Sequence, residues 1–266
     1  MPSYDSYLAA LKDRLQGVRW ETYGKSGAGP LVCFSTPGKK KLLYVTSGFH
    51  GEEPFGPITF VKHGQLLVDM AKASGVGLRV YPCTNPEAWE RGTRYNAKHD
   101  RPSNAFFEYE TAPGEWVAGL KPDMHLRDMR IRKDLTPESR ALAADLALKP
   151  VPSAALDIHQ DIDFKDKPIT YAYVSGKFTP YRSMARAAAR FATVGSNTEV
   201  EGITSKVKTD RDGLVPAIPD GSIQDYFTRL GTTYSATLET STGLPLKQVM
   251  GVNLVWLMGF VELASR

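Results

Sequence analysis

The sequence predicts an α/β protein with a mixed, mostly parallel central sheet and helices on both faces. Three observations predict it. Short apolar runs at residues 42–45, 78–83, 154–159, 169–174 and 234–239 have the length and composition of buried strands. Segments with apolar residues at helical spacing separate most of them, at 57–73, 137–148, 181–191, 222–230 and 245–263. No linker rich in Pro, Gly or Ser interrupts the pattern, so residues 1–266 read as one domain, long enough to bury a sizeable core.

Taken in order, residues 4–15 form a helix with Tyr7, Leu8, Leu11 and Leu15 on one face. Strand candidates follow at 18–23, 31–35 and 41–45, punctuated by Lys25-Ser26-Gly27 and Pro37-Gly38, and are expected to make an antiparallel start to the sheet. The helix at 57–73 carries Phe60, Val61, Leu67, Val68 and Ala71 on its buried side, with Gly64 an unfavourable residue in its middle. The strand at 78–83 opens into Thr84-Asn85-Pro86. From Glu87 to about Leu135 the chain is rich in Arg, Asp, Pro and aromatics and shows no clean period, which reads as a long functional segment without regular structure. Thr136 as N-cap and Pro137 at the first helical position start the next helix. Residues 199–219 read as a second long loop. The closing helix contains the most apolar tract, 249–261, broken by Asn253; it is too short for a membrane span and reads as buried.

Composition narrows the function. Hydrophobic content of 42% and charged content of 23% are those of an ordinary soluble protein. The net charge of +4 is mild, and Lys and Arg are scattered rather than clustered, so neither a nucleic-acid nor a membrane partner is expected. The two cysteines, Cys33 and Cys83, do not make a disulfide framework, and no apolar leader is visible, so a cytoplasmic location is expected.

The chemistry gathers at strand ends. The run from Leu42 to Val45 breaks at Ser47-Gly48 and delivers His50-Gly51-Glu52-Glu53 to the carboxyl edge of the sheet, where ligand sites of open α/β sheets form. His50 and Glu53 can aim an imidazole and a carboxylate at one point, the first half of a zinc site. Alternation through Leu156-Asp157-Ile158-His159 puts Asp157, His159 and Asp161 on one face, so His159 can complete a set of three ligands with one position open. Glu239 ends a further strand and is suited to act as general base on a water held by the metal.

These residues carry a resemblance. His50-Gly51-Glu52-Glu53, Asn85-Pro86-Glu87, Arg94-Tyr95-Asn96, Asp157-Ile158-His159 and Thr237-Leu238-Glu239-Thr240 occur in the order and spacing of zinc carboxypeptidases, and resemble their small bacterial branch, which includes murein peptide amidases. The resemblance covers roughly residues 20–265 and implies a three-layer zinc-carboxypeptidase-like fold. It implies one zinc ion per chain on His50, Glu53 and His159, favouring Glu53 over Glu52, with Glu239 as general base. It further implies Arg94 as the group that polarises the scissile carbonyl, and Asp100 as the aspartate that orients His50. Asn96 matches a neighbouring substrate-site position. The family's Leu-Asn-Arg after that aspartate is replaced here by Arg101-Pro102-Ser103-Asn104, so Arg101 is the candidate for a substrate carboxylate, with Arg91, Arg127 and Arg130 also open. The family's tyrosine in the loop before the last catalytic strand has no counterpart in Leu214–Pro219, and Tyr226 is expected to pack. The expected activity is hydrolysis of an amide bond in a peptide or peptide-like substrate. The alternative is deacylation of an N-acyl amino acid, as in succinylglutamate desuccinylase and aspartoacylase.

Overall fold

The structure is a computed structural model and describes residues 1–38, 40–96, 107–112, 114–121, 124, 126–203 and 205–266. Its strands are β1 (Arg19–Ser26), β2 (Gly29–Ser35), β3 (Leu42–Ser47), β4 (Gly77–Tyr81), β5 (Phe107–Thr111), β6 (Trp116–Val117), β7 (Leu126–Ile131), β8 (Ala154–Asp161), β9 (Thr170–Val174), β10 (Glu199–Val200), β11 (Val207–Lys208), β12 (Leu214–Pro216) and β13 (Tyr234–Ser241). The helices are α1 (Tyr4–Arg14), α2 (Phe55–Ala73), α3 (Pro86–Arg91), α4 (Pro137–Ala147), α5 (Arg182–Ala188), α6 (Ile223–Arg229) and α7 (Leu246–Ser265).

Eight strands form one mixed sheet in the order β1-β2-β4-β3-β8-β13-β9-β12. The central four, β4, β3, β8 and β13, run parallel, while β2 and β9 join them antiparallel at either side. Of the three early strand candidates, β1 and β2 pair antiparallel as expected, but β2 does not pair with β3. β4 lies between β2 and β3, which puts β3 at the centre, where its uniformly buried Leu42–Ser47 run belongs.

Period-two alternation sorts the central strands into two cores. Leu43, Val45, Leu78, Val80, Leu156, Ile158, Ala236 and Leu238 face the layer of α1, α2, α5 and α7. Tyr44, Tyr81 and Ala155 face the opposite layer, with Leu142 and Leu146 of α4 and Ile223 and Phe227 of α6. Two residues that looked misplaced in helices make contacts between them. Gly64 of α2 leaves room for Leu15, whose Cδ2 would lie 2.9 Å from an added Cβ. Asn253 of α7 is buried and donates to Thr59 Oγ1 of α2 at 2.9 Å.

Regular structure also appears where none was expected. Within residues 87–135, α3 and the three-stranded sheet β6-β5-β7 form, and β10, β11 and β12 lie within 199–219. Phe107, Tyr109 and Thr111 alternate inward, while Glu108 pairs with Arg130 across the strands. Charged partners on the outward face hide such a strand from a search for apolar runs. This small sheet holds the loop before α6: Phe107 N–H donates to Gly221 O (3.2 Å), Leu120 N–H to Pro219 O (2.9 Å), and Gly221 N–H to Tyr109 OH (3.0 Å). Gly221 sits at φ +75°, and a Cβ there would meet Phe107 O at 2.4 Å, so glycine is required.

On the α4 side, buried Arg79 binds Glu21 (3.1 Å), Asp145 (2.6 Å) and the Tyr81 hydroxyl (2.6 Å). Partial burial would raise the Glu21 carboxyl, but the Arg79 hydrogen bond and charge hold it below its ordinary value of 4.5. A carboxyl depressed in the folded state contributes stability that is present above the unfolded value and lost as pH falls through the folded one. Glu21→Gln should therefore flatten the loss of stability between about pH 5 and pH 3. Denaturant titrations across that window check this, and an acid limb parallel to that of the unaltered chain would refute it.

Candidate metal centre

The site begins where β3 ends. Gly48, at φ +69°, turns the chain out of the sheet with no room for a side chain: an added Cβ would lie 2.9 Å from Pro57 and 3.2 Å from the Cys83 backbone. The emerging turn is tied to the strand beside it. Thr84 N–H donates to Ser47 O (3.0 Å), Asn85 N–H to Gly48 O (3.0 Å), and Asn85 Nδ2 to Phe49 O (2.9 Å). Asn85 also caps α3, accepting from Ala88 N–H at 3.1 Å, so one residue fixes both the helix and the turn. Gly51 presses against the backbone of α3, and Glu53 N–H closes the turn onto His50 O at 3.2 Å.

β8 delivers the other half. Its pairing with β3 sets Thr46 opposite Asp157 and Ser47 opposite Ile158, which carries His159 beyond the end of β3 to the level of the turn. There the side chains meet. His50 Nδ1 lies 2.5 Å from Glu53 Oε1, and His159 Nδ1 lies 2.9 Å from Glu53 Oε2. All three residues are buried, and one ligand atom from each lies within 4.8 Å of the others. The expected trio is thus brought together by the fold.

Asp157 is a member that the sequence reading placed on the right face and gave no role. Its Oδ2 lies 2.8 Å from His159 Nε2, and its Oδ1 accepts from Thr46 Oγ1 at 2.7 Å. This fixes the ring so that Nδ1 faces Glu53, the carboxylate–histidine arrangement that orients metal-binding imidazoles. The available signal was the Asp-x-His spacing itself, with both residues on one face. His50 Nε2 is buried and has no hydrogen-bond partner among the described residues. Asp100, expected to orient it, and Arg101, expected at the substrate carboxylate, lie outside the described residues.

The donor set fits a divalent metal. Two imidazole nitrogens and a carboxylate suit zinc, and three protein ligands are the catalytic form of such a site. The electrostatics agree. Burial would raise Glu53, but the two histidines hold it far below the ordinary carboxylate range. Burial lowers His50. Burial would also lower His159, but Asp157 and Glu53 push it up.

Glu239 lies directly opposite His159 in the β8–β13 ladder and so points to the same face. Its Oε2 is shielded from solvent and has no hydrogen-bond partner among the described residues. Burial raises its carboxyl well above the ordinary range; Glu53, Asp161 and Asp157 add to this and His159 opposes it. On its other side Tyr171 of β9 is the register partner, with its hydroxyl donating to Asp161 Oδ2 at 2.5 Å. Arg94 stands at the rim, half-exposed, with Nη1 3.2 Å from both Glu52 Oε1 and Glu53 Oε1. Asn96 is not joined to this cluster: it is buried and donates to Glu138 Oε2 at 2.5 Å. Of the other cations considered, Arg127 and Arg130 pair with Glu110 and Glu108 in the small sheet, and Arg91 is exposed on α3. Tyr226 packs as expected, stacked on Phe107 with ring centroids 4.6 Å apart.

Solved structures share this architecture. The chain is similar to a protein from Shewanella amazonensis SB2B provisionally assigned as a metallopeptidase, with 24% identity over 97% of this chain and 91% of that one, at a TM-score of 0.74. A protein from Shewanella baltica OS155 with the same provisional assignment shows 20% identity over 98% and 92%, at 0.76. A metallo-carboxypeptidase from Burkholderia cenocepacia shows 17% identity over 98% of this chain and 68% of that one, at 0.65. No protein-family model and no curated protein matches the chain. At these identities the likeness establishes the fold, which is metallocarboxypeptidase-like.

Gly51 provides a test of the turn. A Cβ there would lie 1.9 Å from Ala88 O and 2.0 Å from its carbonyl carbon, so any side chain must push the turn off α3. Gly51→Ala should destabilise the protein by about 1–3 kcal/mol and weaken binding of added Zn2+, read by denaturation and by metal titration. A variant that melts and titrates like the unaltered chain would show that this contact does not place His50 and Glu53.

Proposed function

We propose that this chain is a metal-dependent hydrolase, with zinc the best-suited ion, that cleaves an amide bond in a peptide or peptide-like substrate. The observation that carries the reading is the meeting of His50, Glu53 and His159 beside Glu239 on the adjacent strand, whose Oε2 has no hydrogen-bond partner among the described residues. A structural metal site needs no such neighbour. The metallopeptidase and metallo-carboxypeptidase assignments among the fold's relatives support the same class.

His50, Glu53 and His159 would hold the metal ion, and zinc there would supply Lewis acidity and ease the ionisation of water near neutral pH. The chain's own residues do the rest. Glu239, whose Oε2 has no hydrogen-bond partner among the described residues, is placed to accept the proton of the attacking water and to return it to the leaving amine. Arg94 places a guanidinium beside the ligand cluster, where it stabilises charge that develops on the carbonyl oxygen. Asp157, itself held by the Thr46 hydroxyl, keeps His159 in the ligating orientation through its contact with Nε2.

Glu239→Gln keeps the shape and removes the proton acceptor. It should lower kcat by roughly 10²–10⁴-fold while metal content stays at one ion per chain, measured by steady-state kinetics and elemental analysis. Equal turnover in that variant would refute the base assignment. The substrate class is read from a panel: release of a C-terminal residue or of a murein peptide fragment supports the proposal. Turnover confined to N-acetyl or N-succinyl amino acids would replace it with the deacylase reading.

A further inference from the structure

Arg94 owes its place to a short irregular segment, and the two ends of that segment are held differently. Upstream, α3 ends in a left-handed glycine cap, with Gly92 N–H donating to Trp89 O (3.1 Å) and Thr93 N–H to Ala88 O (3.2 Å). Thr93 O then accepts from Gly51 N–H at 2.9 Å, which joins the segment to the metal turn. Within it, the Thr93 hydroxyl donates to Tyr95 O (2.9 Å), and Arg94 Nε donates to the Tyr95 hydroxyl (3.2 Å). Downstream, Asn96 Nδ2 donates to Glu138 Oε2 at 2.5 Å, a side-chain tether to α4.

Glu138 is an unusual residue for its position. A glutamate in the first turn of a helix ordinarily stays in solvent, where it complements the positive end of the helix dipole. This one is 1% exposed. At the start of α4, Thr136 accepts from Ser139 N–H as the N-cap and Pro137 fills the first turn. Its second oxygen, Oε1, is buried with no hydrogen-bond partner among the described residues, and so is Asn96 Oδ1. A half-satisfied pair of buried polar groups is unfavourable for stability alone.

We infer that Glu138 is a positioning residue for Arg94: by accepting from Asn96 it anchors the downstream end of the 93–96 segment to α4. The guanidinium is thereby presented to the Glu53 side of the cluster. Glu138 touches neither the ligands nor the reacting atoms and acts through Asn96 and the backbone. The inference rests on the proposed role of Arg94 for its effect on rate, but the anchoring itself does not.

Three variants and two readouts separate the possibilities. Glu138→Ala should speed hydrogen exchange of the amides at 93–96 and leave metal content unchanged. It should lower kcat/KM by roughly 10–100-fold, mainly through kcat, because a misplaced transition-state group costs rate rather than ground-state binding. Glu138→Gln keeps an acceptor for Asn96 and should restore most of that loss. Asn96→Ala removes the same bond from the other end, which keeps the test available should Glu138→Ala fold poorly, and should match it in both readouts. Combined with Arg94→Ala, either truncation should add no further loss of rate. Exchange at 93–96 unchanged in both truncations would overturn the anchor, and so would a loss fully additive with Arg94→Ala. Faster exchange with full activity in Arg94→Ala would instead leave the anchor standing and remove the proposed role of Arg94.

Discussion

Glu53 is the side chain on which the arrangement depends. A buried carboxylate without partners costs several kcal/mol, and this one lies 3% exposed at the edge of the sheet. It is retained because donors meet it from separate segments: His50 from its own turn, His159 and the Gln160 amide from β8, and Arg94 from beyond α3. Removing any one leaves a buried carboxylate with fewer partners to offset its desolvation. The same grouping that makes Glu53 tolerable leaves two imidazole nitrogens and a carboxylate facing one point.

The order of strands follows from that requirement. β3 and β8 must be neighbours and parallel, since only then do their carboxyl ends bring His50 and His159 to one edge, although more than a hundred residues separate them in the chain. β13 joins β8 in the same direction, which sets Glu239 opposite His159. Asp157, Asp161 and Glu239 consequently share one face of two adjacent strands. Burial, with the nearby Glu53, Asp161 and Asp157, raises the Glu239 carboxyl, while Asp157 is held by His159 and by the Thr46 hydroxyl. A parallel sheet covered on both sides supplies this: its interior repels water, and its carboxyl edge is where the chain can leave regular structure.

Around this edge, the chain restrains loops by packing glycine backbone against backbone. Gly51 lies against Ala88 of α3, and Gly221 lies against Phe107 of the small sheet. The loop before α6, which lacks a tyrosine, is bonded through its backbone to β5 and to Leu120. The carboxyl edge is thus bordered by irregular segments whose shape comes from glycines that let them pack against neighbouring elements.

The sequence alone determined the layers and marked His50, Glu53 and His159 as candidates, which the fold brings together. Apolar runs of strand length separated by helical periods specify an α/β sheet, and alternation through Asp157 and His159 specifies which residues share a face. These are local properties, written in consecutive residues. It did not reveal β5 and β7, whose outward positions carry charges paired only across strands, nor the place of β4 between β2 and β3. Asn96 and Glu138 show the limit most clearly: each has an unremarkable local context, one in a loop and one at a helix start. Their bond exists only because the fold brings α4 to the segment that carries Arg94. Contacts between distant segments depend on strand order and helix placement, which no window of neighbouring residues encodes.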